Sequence, residues 1–155
     1  MEFIGREREL TRIKKTLKVT EQRNVLIYGR RRVGKSELIK QALTDLSDVA
    51  TVYYECRQTS EADNLESLSV LVAEALGFPP LAFTGIRELI EFLFAQAKDK
   101  NITLVLDEYP YLRDAVKGLD SILQTSIDAH REDSRLNIVL CGSYVEIMKS
   151  LIEHE

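Results

Sequence analysis

Two short stretches hold the residue types on which chemistry could be built. The first is "GRRRVGKS", residues 29–36, where Gly29, Gly34, Lys35 and Ser36 keep the spacing G-x-x-x-x-G-K-[ST]. Glycines at those places let the backbone wrap so that successive N–H groups point at phosphate oxygens. A helix beginning near Lys35 adds its free N–H groups and the positive end of its dipole. Lys35 would reach the β- and γ-phosphates, and the Ser36 hydroxyl would ligate Mg2+. The second stretch is "LVLDEYP", in which an apolar run delivers Asp107 and Glu108. The C-terminal ends of strands are where open α/β sheets bind ligands. An acid there can hold the Mg2+ shell, the role expected of Asp107. A second acid beside it can orient and activate water, the role expected of Glu108. A solvated strand-end carboxylate is the alternative for Glu108.

Arg30, Arg31 and Arg32 fill the variable part of the loop beside Val33. The loop backbone must face the phosphates, so most of these side chains point outward. Two readings stand for them: a clamp on a phosphate or on a neighbouring subunit's nucleotide, or a solvated, acid-paired role. Net charge is −4, but residues 1–40 hold 12 Lys and Arg against 5 Asp and Glu, while the remainder holds 9 against 20. Such asymmetry suggests an anionic ligand near the N-terminal quarter rather than a broadly basic nucleic-acid-binding domain.

The elements that must position these residues follow from periodicity. Residues 6–18, 35–46, 86–98, 119–130 and 144–153 carry apolar stripes at helical spacing. A further helix is expected to be capped by Asp63, with Glu66 three residues on, and to stop at Gly77 before Pro79 and Pro80. Strands are expected at 24–28, 50–56, 102–108 and 137–143. The last two are apolar on both faces, as in the middle of a parallel sheet. "GFPPLAFTG" (77–85) is the nearest thing to a long loop. Alternation of strands and helices argues for one α/β domain with a parallel sheet.

With 155 residues, a core can form without disulfides or metal. Cys56 and Cys141 form no metal-binding pattern, and buried core thiols are expected. The start, "MEFIGRERE", has no apolar signal core, and no apolar run reaches the roughly 18 residues of a membrane span. A cytoplasmic protein with no membrane partner is expected. His130 is expected to make a favourable contact with a helix dipole.

Together the motifs resemble the prokaryotic archaeal-type ATPases, on the AAA+/STAND side of the P-loop NTPases. "FIGRERELTRI", "VLIYGRRRVGKSELI", "TLVLDEYPYL" and "IVLCGSYVEIM" resemble that family's N-terminal signature, phosphate loop, Walker B segment and sensor-1 strand. The resemblance implies a three-layer αβα fold, ATP and Mg2+ as ligands, and ATP hydrolysis. It places Phe3, Ile4, Gly5 and Arg6 near the adenine, Gly29 to Ser36 and the adjacent Glu37 around the phosphates, and Ser143 at sensor 1. Ser143 is equally suited to cap the final helix. The alternative function is a nucleotide-gated switch or docking module with negligible hydrolysis alone. A GTPase is disfavoured because no N-K-x-D segment occurs, and a nucleotide kinase because the acid pair suits water better than a phosphoryl acceptor.

The family's sheet order, 5-1-4-3-2, implies 24–28 beside 137–141, then 102–107, then 50–56. The resemblance also implies a fifth strand and a helical lid bearing a second sensor and an arginine finger. Residues 1–155 are therefore expected to be the ATPase core of a longer protein with a C-terminal effector domain. Arg113, Arg131 and Arg135 are candidate fingers, with surface solvation the competing role. Strand 24–28 would then lie at an open edge, covered by self-association or by the chain's own terminal residues. A fifth parallel strand from this chain beside 24–28, or a first strand with two partners, would overturn that view of the truncation.

Overall fold

The structure, a computed structural model, describes residues 2–4, 24–28 and 49–142, the first two segments as backbone only. Five strands form one parallel sheet: β1 (Glu2–Ile4), β2 (Asn24–Tyr28), β3 (Ala50–Glu55), β4 (Ile102–Asp107) and β5 (Leu136–Gly142). Their spatial order is β1-β2-β5-β4-β3. The expected order of the four principal strands is thus observed. Every residue of β4 and of β5 is buried, as two-sided apolar runs require.

One expectation is corrected. β1 pairs with β2 in parallel, Phe3 opposite Leu26, so β2 has partners on both sides. The chain's own residues 2–4 cover the edge at 24–28, one of the two covers expected, but they do so as a fifth parallel strand, which overturns the view that truncation leaves 24–28 at the sheet edge. Residues 2–4 supply backbone partners for the β2 N–H and C=O groups that would otherwise be left unpaired on that side.

Four helices are described: α1 (Glu61–Leu76), α2 (Ile86–Gln96), α3 (Tyr109–Ala115) and α4 (Leu119–Ala129). Register places Val52, Leu104 and Ile138 in one row across the sheet, and Tyr54, Leu106 and Leu140 in the next. These rows share one hydrophobic core with Leu68 and Val72 of α1, Leu89 and Leu93 of α2, Leu112 of α3 and Leu123 of α4. All four described helices therefore cover the same sheet face. By strand alternation, Val105, Asp107, Val139 and Cys141 project from the opposite face, and they too are buried.

Helix ends show why the elements stop where they do. α1 begins one turn earlier than expected. Ser60, not Asp63, is its N-cap, and the Ser60 hydroxyl accepts from the Asp63 N–H at 3.2 Å. Gly77 closes α1 in the left-handed region (φ 73°), where glycine carries no Cβ penalty. The expected helices at 6–18, 35–46 and 144–153 lie outside the described residues. α2 and α4 are joined by polar contacts. Ser126 donates to Glu91 at 2.6 Å, and the His130 ring lies 3.1 Å from both Glu91 and Asp133. His130 is the C-cap residue of α4, as its expected dipole contact required, and its ring also stacks on Phe94.

Asn64 holds the β3–α1 loop at the sheet end that bears the acids. It is fully buried. Its Oδ1 accepts from the Tyr54 hydroxyl and from the Arg57 N–H at 3.0 Å. Its Nδ2 donates to the carbonyls of Arg57 (3.1 Å) and Ser60 (3.0 Å). Asn64→Ala would strand buried donors and acceptors at about 1–3 kcal/mol for each group left unpaired. Urea unfolding should show a loss of about 3 kcal/mol. A loss below about 1 kcal/mol would mean that Asn64 does not organise the loop.

Candidate active site

The candidate site is built on the C-terminal end of β4. Asp107 is 3% exposed and Glu108 5%. A buried carboxylate needs hydrogen-bond donors to remain charged at tolerable cost. Three are found for Asp107 among the described residues: its Oδ1 accepts from the Glu108 N–H at 2.9 Å and from the Cys141 thiol at 3.3 Å, and its Oδ2 accepts from the Tyr53 hydroxyl. Tyr53 stands on β3 and Cys141 on β5, the strands on either side of β4. The Asp107 carbonyl also accepts from the Cys56 N–H at 2.7 Å, extending the β3–β4 pairing by one step.

Glu108 is the turning point. Its φ of 53° and ψ of 44° are left-handed, the sole positive φ outside glycine among the described residues. That conformation costs a non-glycine residue about 1–2 kcal/mol. Its neighbours hold it there. Asp107 is fixed by its donors, and Tyr109 is fully buried, with its hydroxyl donating to Asp120. Arg113 Nε donates to the same Asp120 carboxylate at 2.7 Å. Burial first, then Asp120, pushes the Tyr109 phenol up, so it remains a neutral donor. Helix α3 starts at once after this turn. Pro110 fits its first turn, where a missing N–H removes no helical bond.

Of the three candidate arginines, Arg113 pairs with Asp120 and Arg131 with Asp128, both at 2.7 Å and both exposed to solvent in part. Arg135 is exposed.

Of the residues expected at the site, Asp107 and Glu108 are brought together at one strand end. Ile4 ends β1, two strands away from β5 across β2. Gly5, Arg6, the whole loop from Gly29 through Lys35, Ser36 and Glu37, and Ser143 lie outside the described residues. The strands that lead into them are described. Tyr28 pairs with Gly142, and Leu140 with Leu106. One strand therefore separates β2 from β4, a span of about 10 Å at ordinary strand spacing. Tyr53 and Cys141 were missed from sequence as site residues. Alternation assigned both to strands but did not indicate that either would donate to Asp107.

Comparison with known proteins decides the class. The description "ATPase domain predominantly from Archaea" fits residues 3–155. The chain belongs to this archaeal-type P-loop ATPase family. An uncharacterized protein of Methanocaldococcus jannaschii is 29% identical over 146 residues, 94% of this chain and 30% of that protein. The Walker-type ATPase of Pyrococcus abyssi superposes with a TM-score of 0.67 at 21% identity, over 96% of this chain and 47% of that one. The Aeropyrum pernix ORC2 protein, solved in ADPNP–ADP complexes, gives 0.60 at 19% identity, over 94% and 40%. The chain thus spans under half the length of these relatives. The likenesses establish the three-layer α/β core of the P-loop NTPases, related to the AAA+ and Walker-type ATPases. No helix among the described residues is long and apolar enough to cross a membrane.

Both cysteines are buried and reduced. Burial first, then the charges of Asp107 and Glu108, pushes the Cys56 thiol well above its ordinary range. Neither thiol of the native ATPase domain should react with Ellman's reagent at about pH 8, where a free thiol is reactive, and both should react on unfolding. Fast release of one equivalent from the folded protein would contradict the buried setting of the acid pair.

Proposed function

We propose that this domain binds ATP with Mg2+ and hydrolyses it to ADP and phosphate by in-line attack of water on the γ-phosphate. The observation that carries the reading is the buried, donor-held Asp107 with Glu108 beside it, with β5 alone between β4 and the strand that leads into Gly29–Ser36. In this account Gly29, Arg30, Arg31, Arg32, Val33, Gly34 and Glu37 frame the phosphates. Lys35 neutralises the β- and γ-phosphate oxygens. Ser143, following Gly142 between the two halves of the site, contacts the γ-phosphate. Ile4, Gly5 and Arg6 border the adenine.

The donor set fits a hard divalent cation, which takes oxygen ligands. Ser36 and Asp107 would hold Mg2+, which supplies charge neutralisation on the transferring phosphate. Asp107 is held in one orientation before any ligand arrives, so little reorganisation is needed. Glu108, fixed by its left-handed backbone, orients the attacking water and takes its proton. A second reading is a nucleotide-gated switch with negligible turnover alone. On that reading the activating cation comes from another subunit or from an effector domain in a longer protein. We take residues 1–155 as the ATPase core domain and the cytoplasm as its compartment.

Two measurements test this. Mg-ATP at a hundredfold excess over its Kd should stabilise the fold by about 2.7 kcal/mol, seen as a rise in Tm that Lys35→Ala abolishes. No shift at millimolar nucleotide would sink the reading. Glu108→Gln should keep ATP affinity and lower single-turnover hydrolysis about a hundredfold or more. Equal turnover in the two would remove Glu108 from the chemistry, and a parent that binds but does not turn over would favour the switch.

A further inference from the structure

We propose that Tyr53 and Cys141 are positioning residues for the metal-binding acid, setting how much Mg2+ the site needs to bind nucleotide. The inference rests on the ATP–Mg2+ reading above. A carboxylate turns about its Cβ–Cγ bond unless something holds it. Here the hold comes from both flanks: the Tyr53 hydroxyl on Oδ2, and the Cys141 thiol with the Glu108 N–H on Oδ1. Together they fix the plane of the carboxylate relative to the strand ends.

The sheet explains why these two residues can reach. Glu55 is the register partner of Asp107 on β3, and Tyr53 lies two residues earlier on the same face. A phenol is long enough to span that offset, whereas a serine or threonine is not. On β5, Leu140 is the partner of Leu106, which brings Cys141 alongside Asp107. A thiol is a weak donor, so the phenol carries more of the restraint.

Tyr54 provides an internal contrast. It is the next residue along, on the opposite face, and its hydroxyl donates to Asn64 within the structural network of the β3–α1 loop. Removing the hydroxyl from Tyr53 or from Tyr54 is the same chemical change at adjacent positions. Only the first touches Asp107. Hydrogen bonds to metal-ligating groups commonly contribute 10- to 100-fold to metal affinity.

The test follows binding of a non-hydrolysable ATP analogue by calorimetry while Mg2+ is titrated. Tyr53→Phe should raise the half-maximal Mg2+ concentration about tenfold, with affinity for the metal-free analogue unchanged. Cys141→Ala should raise it less, and Cys141→Ser, which restores a donor, should return it toward the parent value. Tyr54→Phe should lower stability and leave the Mg2+ midpoint in place. An unmoved midpoint in Tyr53→Phe, or an equal shift in Tyr54→Phe, overturns this inference alone, provided the parent binds the analogue in a Mg2+-dependent way. A parent chain that binds no analogue overturns the ATP reading and this inference with it.

Discussion

Keeping a carboxylate buried at the end of β4 is the requirement around which the rest of this domain is arranged. Asp107 sits almost wholly out of water. An ionised group there costs several kcal/mol unless donors surround it. One described donor is the Glu108 N–H that follows β4, and the other two come from the strands on either side of β4, so each of those strands must carry a donor at the right step of the register. Parallel pairing meets that need. It brings the C-terminal ends of β3, β4 and β5 to one level, where the Tyr53 hydroxyl and the Cys141 thiol close on Asp107. The left-handed turn at Glu108 is a second consequence. Its N–H is committed to Asp107 while Tyr109 is drawn into the core, so the chain between them must bend sharply.

The two faces of the sheet divide the work. On one, Tyr54 and the apolar rows pack against α1 to α4 and supply most of the described core, with the Tyr54 hydroxyl held by Asn64 of α1. On the other, Asp107 and Cys141 share a row that carries polar chemistry. Tyr109 and Asp120, on the helix-covered side, anchor α3 immediately after the acid pair. Strain at Glu108 is thereby supported by packing some distance from any ligand, as is usual for strained residues at functional sites.

Much of this was legible in the sequence. Apart from Thr103, "ITLVLD" and "NIVLCG" are apolar at every position but their ends, a pattern that suits a mid-sheet strand, and both are buried throughout. The order of the strands came from resemblance to a family, since periodicity says nothing about neighbours. Four features were not legible for physical reasons. Ser60 with Asp63, and Asp63 with Glu66, both have capping spacing, and the choice depended on which residue adopts extended backbone. Pro110 masked α3, because a proline in a first turn looks from sequence like a break. β1 is three residues long, too short for alternation to show, and its pairing with β2 gives it definition. The hydrogen bonds of Tyr53 and Cys141 depend on register across three strands, which local pattern does not encode. The loop from Gly29 to Ser36 was the clearest motif in the sequence, and its roles rest on that motif and on the strand leading into it.

The central claim is that the divalent cation sits with the triphosphate at the C-terminal ends of β2, β5 and β4, held by the pre-oriented Asp107. Crystals grown with a non-hydrolysable ATP analogue and Mn2+ in place of Mg2+ would test it by anomalous scattering. The account predicts one strong Mn2+ peak within about 5 Å of the Asp107 carboxylate, bound directly or through one water, with Tyr53 still donating to Oδ2. A nucleotide-bound structure with Mn2+ elsewhere, or with Asp107 turned away from it, would contradict the account.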